Sequence, residues 1–67
     1  MSPDSMVRMA NQIAGFFKTQ PKIDQAQGVA DHISDFWDPR MKAQLVAFVA
    51  AGGVGLDALV IEASQRI

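Results

Sequence analysis

Prolines at positions 3, 21 and 39, together with Gly52, Gly53 and Gly55, cut the chain into four pieces, and this punctuation constrains its fold more than any other feature. Proline cannot donate the N–H that an interior helical residue donates, and glycine alone accepts left-handed torsions without steric cost. Both therefore belong at helix ends. Between these breaks the apolar residues recur with helical rather than strand period. The expected fold class is all-α: a small bundle of three to four short helices, over about 3–19, 22–37, 39–51 and 57–66, in a single helical domain spanning 1–67.

The first piece sets Met6, Met9, Ala10, Ile13, Phe16 and Phe17 on one side of a helical wheel, with Arg8, Asn11, Gly15 and Lys18 opposite. Ser2 or Asp4 can accept from the open N–H groups of its first turn, and Pro3 suits the first helical position. In the second piece Ile23, Ala26, Val29, Ala30, Ile33, Phe36 and Trp37 fill an arc of about 140°. Asp24, Asp31 and Asp35 gather on the far side. Two starts fit this helix: Pro21 at its first position, or a capping box of Asp24 with Gln27. Gly28 falls on the polar side and weakens the helix by about 1 kcal/mol relative to Ala.

Residues 36–41, FWDPRM, concentrate the only Trp with a Phe, a carboxylate, a Pro and an Arg. They read as a joint between helices. Asp38 precedes a proline and is biased away from helical torsions, so it ends the second helix at about Trp37 and caps the third. Pro39 supplies the preset torsion of the new first turn. Phe36, Trp37 and Met41 anchor the two sides of the corner.

The third helix has Arg40, Lys42 and Gln44 in its first turns and then only LVAFVAA, from Leu45 to Ala51. A helix apolar all round is buried on more than one side. A 67-residue chain buries only about 60% of its unfolded surface and cannot wrap one helix completely, so a partner is expected to cover it. The glycines at 52–55 suit a helix stop and turn, with Asp57 capping a last helix on which Leu56, Leu59, Val60 and Ala63 share a side and Ile61 points away.

Composition removes several function classes. With no Cys and one His, the chain cannot by itself supply a zinc finger, an iron–sulfur ligand set or a cysteine nucleophile. Seven acidic against six basic residues, a formal charge of -1, leave no excess positive field for nucleic acid or anionic membrane. The apolar stretch 43–61 approaches membrane-span length. Three glycines and Asp57 interrupt it, and a carboxylate at mid-bilayer costs roughly 2.5–3.5 kcal/mol, so no membrane span is expected. The MSPDSM start has no apolar signal-peptide core, and a cytoplasmic location is expected.

The chemistry-bearing residues read as surface or scaffold. His32, with Asp31 adjacent and Asp35 three residues on, has too few converging ligands for a metal or acid–base site. The glycine run lacks both the G-x-G-x-x-G spacing and a following Lys-Ser/Thr that phosphate cradles use. Asn11 and Gln12 read as surface or rim residues able to hydrogen-bond a partner. Trp37 and Arg40 form the one binding-type pair, since Trp and Arg are enriched among interface anchors, although Trp37 reads first as core. No nucleophile, base and oxyanion donor can be grouped, so no catalytic, cofactor-binding or metal residue is assigned. The expected partner-facing set is Trp37, Arg40, Met41, Leu45, Phe48, Val49 and Ile61.

VRMANQIAGFF (7–17), VADHISDFWDPRM (29–41) and AAGGVGLDALV (50–60) carry a family resemblance, with FWDPRM followed by GGVGL the most specific part. In these stretches the chain resembles the delta subunit of soluble NAD-dependent formate dehydrogenases. The resemblance implies a non-catalytic accessory subunit that assembles or stabilises a heteromeric complex. Larger formate dehydrogenase subunits would be its partners, and they would carry the molybdenum or tungsten pterin, the iron–sulfur clusters and FMN, and reduce NAD. The competing expectation is a self-associating helical adaptor or regulatory protein whose apolar surface is covered by its own copies.

Overall fold

Four helices make up the computed structural model, which describes residues 2–67: α1 (Pro3–Phe17), α2 (Gln25–Phe36), α3 (Pro39–Ala50) and α4 (Ala58–Ser64). Among the described residues there is no strand. Every helix starts on a side-chain cap. Ser2 Oγ accepts from Ser5 N at 3.2 Å, and Asp24 Oδ1 accepts from Gln27 N at 3.1 Å. Asp38 Oδ1 accepts from Met41 N at 2.8 Å, and Asp57 Oδ1 from Leu59 N at 2.9 Å. Each satisfies an otherwise open N–H and stabilises its helix by about 1 kcal/mol.

The helix ends are tighter than the periodicity alone predicts, because local hydrogen bonds replace the last helical turns. After Phe17 the chain closes with Thr19 N and Gln20 N donating to the carbonyls of Phe16 and Phe17 at 3.1 and 3.0 Å. Asp24 is the cap of α2, which places Pro21 outside the helix. Gln27 does not complete a capping box, since its side chain donates to Asp31 at 2.8 Å. Trp37 and Asp38 are both extended, with ψ of 138° and 165°, and turn the chain between α2 and α3. At the end of α3, Gly52 N donates to Val49 O and Gly53 N to Phe48 O, the paired bonds of a glycine-terminated helix. Gly52 and Gly53 have φ of 123° and 62°, torsions that a side-chain-bearing residue rarely adopts.

Inside, α1 contributes the narrow face Met6, Ala10 and Ala14, whose small alanines bring the helices close. Val29, Ala30, Ile33 and Trp37 come from α2 and its end, Leu45 from α3, and Leu56, Val60 and Ala63 from α4 and the loop before it. Helix α2 is central, with α1 and α4 packed on it, and α3 leans mainly on α4. The chain exposes 4100 Å², about the area expected of a compact protein of 7.2 kDa.

A side-chain clamp fixes the α3–α4 loop to α1. Asn11 Nδ2 donates to Gly55 O at 2.9 Å while Asn11 Oδ1 accepts from Asp57 N at 2.8 Å. Lys18, two turns further along α1, pairs with the Asp57 carboxylate. At the opposite edge Arg66 donates to Asp24 at 2.8 Å and to Glu62 at 3.3 Å, tying the chain end to the start of α2. The Lys18–Asp57 and Arg66–Asp24 pairs join segments remote in sequence, whereas Arg66–Glu62 lies within one helical turn.

Candidate docking site

Two aromatic doublets build the site. Neighbouring residues on a helix diverge by about 100°, so the two members of a doublet can meet different surroundings. In the first, Phe17 turns onto α2 and Phe16 remains 60% exposed. Their rings lie 5.2 Å apart and nearly perpendicular. In the second, Trp37 is buried and Phe36 stands out, 73% exposed.

Between them lies an open groove of about 830 Å³. Met9, Gln12, Ile13, Phe16 and Phe17 of α1 form one wall, and His32, Phe36, Trp37 and Met41 form the other. Its volume falls within the range of roughly 300–1,000 Å³ typical of binding clefts. Gln12 and His32 alone bring polar side chains to it.

Gly28 makes room for Phe17, one of the residues lining the groove. A Cβ there would stand 2.6 Å from Cδ1 and Cε1 of Phe17, so the missing side chain is the seat of that ring. The polar-side reading of Gly28 is thereby corrected: the position faces α1. His32 likewise faces aromatic neighbours rather than its acidic ones. Its ring is 4.7 Å from that of Phe36 and 6.4 Å from that of Phe17.

Electrostatics in the fold serve the scaffold. The hydrogen bond from Lys18 and then that from Leu59 N hold the Asp57 carboxyl below its usual range. Arg66, followed by Gln27 N, does the same for Asp24, and Asp24 in turn raises Arg66. None of these groups lines the groove. Perturbed groups often mark reactive sites, but here each shift traces to an ion pair or cap. Among the described residues no three His, Cys, Asp or Glu side chains are grouped closely enough to hold a metal ion. No helix among them is long and apolar enough to cross a membrane.

The expected partner-facing residues divide into three groups. Leu45 is fully buried and Trp37 is 5% exposed, so Leu45 presents no surface and Trp37 only the floor of the groove. Met41, Phe48, Val49 and Ile61 are half-buried against the core, with Ile61 covering the glycine turn at Gly53. Arg40 is exposed. Part of the LVAFVAA run therefore is covered by the chain's own fold. Its outer side, Val46, Ala47 and Ala50, is not, and Val54 beyond it is 82% exposed.

Periodicity alone puts Phe16 and Phe36 on the core side and Asn11 at the surface, whereas the fold exposes both phenylalanines and joins Asn11 to the α3–α4 loop. For the first two, an apolar arc as wide as a doublet is shared between core and groove, and only packing decides which partner turns out. For Asn11 no local signal exists, since Gly55 and Asp57 lie 44 and 46 residues away.

Four side-chain-capped helices around an alanine-lined core, with an open apolar groove between α1 and the α2–α3 corner, define a small all-α protein. The family model that matches it covers residues 5–64 and is described as the NADH-dependant formate dehydrogenase delta subunit FdsD. The chain belongs to this family of delta subunits of NAD-dependent formate dehydrogenase. No curated protein matches it.

Proposed function

We propose that this chain is a non-catalytic accessory subunit that stabilises or helps assemble an NAD-dependent formate dehydrogenase by docking on its larger subunits. The observation carrying this reading is the exposed aromatic pair on the two walls of the groove, Phe16 and Phe36, at 60% and 73% exposure. Isolated surface apolar residues are ordinary, but two exposed phenylalanines facing across one apolar cleft form the kind of patch that partners cover. Family membership supports the other formate dehydrogenase subunits as the partner. Arg40, Met41 and the edge of Trp37 at the α2–α3 corner belong to this contact. Phe48, Val49 and Ile61 pack against the core away from the groove lining. The redox cofactors are assigned to the larger subunits, and the cytoplasm is the compartment of the complex.

Co-expression with the large subunits tests this. The chain is expected to co-elute with them, and its deletion is expected to lower the yield or the thermal stability of the assembled enzyme. Failure to co-elute, together with an intact and equally stable enzyme after deletion, would overturn the proposal.

A further inference from the structure

The groove runs along α1 from Met9 to Phe16, about 10 Å or two helical turns. That length suits a helix laid into a cleft, with apolar side chains at i, i+3 or i+4 and i+7. The charges around it narrow the choice further. Of the cations, Lys18 pairs with Asp57, Arg66 with Asp24 and Glu62, and Lys42 donates to Ser34 O at 3.2 Å. Arg8 and Arg40 are exposed and make no ion pair among the described residues. In sequence Arg8 precedes Met9 and lies one helical turn before the groove residue Gln12, and Arg40 precedes Met41, whereas the remaining cation, Lys22, lies in the α1–α2 loop.

The anions near the groove are placed differently. Asp31 and Asp35 occupy the exposed side of α2; Asp4 is exposed one turn before Arg8 on α1 and forms no ion pair with it among the described residues; and Asp38, the nearest carboxylate in sequence to Arg40, is engaged in capping Met41 N. Carboxylates on an incoming segment are therefore repelled along α2 and attracted at the two arginines. From this geometry and charge pattern we infer that the groove receives an amphipathic helix of a larger formate dehydrogenase subunit, apolar on the buried face and acidic where it passes Arg8 and Arg40. This inference rests on the docking reading above. It assigns the contact to the groove rather than to the outer side of α3.

The test uses the full chain co-expressed with the large subunits, with retention measured at low and high salt. Three variants are compared: Arg8→Glu combined with Arg40→Glu, Phe36→Ala, and Val54→Asp. All four positions are exposed, and circular dichroism of each free variant checks that it remains folded. The charge-reversal variant is expected to bind about tenfold or more weakly at low salt, with the deficit to wild type shrinking at high salt as screening removes the repulsion. Phe36→Ala is expected to bind about tenfold more weakly at either salt. Val54→Asp is expected to bind like wild type. If Val54→Asp alone releases the chain, the groove assignment is overturned while the docking reading stands. If wild type itself never binds the large subunits, the docking reading fails with it. A wild-type homodimer in sedimentation that Phe36→Ala dissociates would assign the groove to a second copy and refute the heterologous occupant.

Discussion

Asn11→Ala removes both hydrogen bonds of the clamp, the donor to Gly55 O at 2.9 Å and the acceptor for Asp57 N at 2.8 Å. Each bond contributes about 1 kcal/mol net, and the second also orients the residue that caps α4 and pairs with Lys18. Ala is the better helix former by up to about 0.7 kcal/mol, which offsets part of the loss. The balance is a destabilisation of roughly 1–2 kcal/mol, a large share of the roughly 3–10 kcal/mol available to a chain of this length. For a domain this small each kcal/mol moves the midpoint by about 4–8 °C, so thermal denaturation should show a Tm lowered by about 5–15 °C. Asn11→Asp should fall further, because it keeps the acceptor but sets a carboxylate against the Gly55 carbonyl oxygen. A Tm for Asn11→Ala within about 2 °C of wild type would show that the loop holds its place without the clamp.

Gly28→Ala should destabilise the chain despite better helix propensity, since the new methyl meets the Phe17 ring; a double-mutant cycle with Phe17→Ala should relieve most of that cost, and additive effects would refute the contact. Acid should weaken the fold, because the Asp57 and Asp24 carboxyls are held below the ordinary carboxylate range in the folded state by Lys18 and Arg66. The stability they contribute is complete above their unfolded values and is lost as pH falls through the folded ones, so Tm should decline below about pH 4. Lys18→Met should make that decline shallower by removing the largest cause of the shift at Asp57; an unchanged acid slope would contradict it. Asp38→Ala should cost about 1 kcal/mol in urea denaturation by uncapping α3, whereas Asp38→Asn should cost less than half of that.

Local rules in the sequence were enough to determine the helices and much of their capping. The cap at Asp38, the break at Pro39 and the stop at Gly52 each depend on torsions and on hydrogen bonds within a few residues, so FWDPRM is recognisable as a corner before any packing is known. The period of the apolar residues likewise identifies a buried side on each helix. Only the tertiary structure decided how that side divides. An apolar arc of 100° or more can face two neighbours, and packing sent Met6, Ala10 and Ala14 to the core and Met9, Ile13 and Phe16 to the groove. Gly28 as the seat of Phe17, Asn11 as the clamp on the α3–α4 loop, and Arg66 on Asp24 were equally out of reach. Each depends on residues brought together from distant parts of the chain, and side-chain spacing along one helix carries no record of what lies across from it.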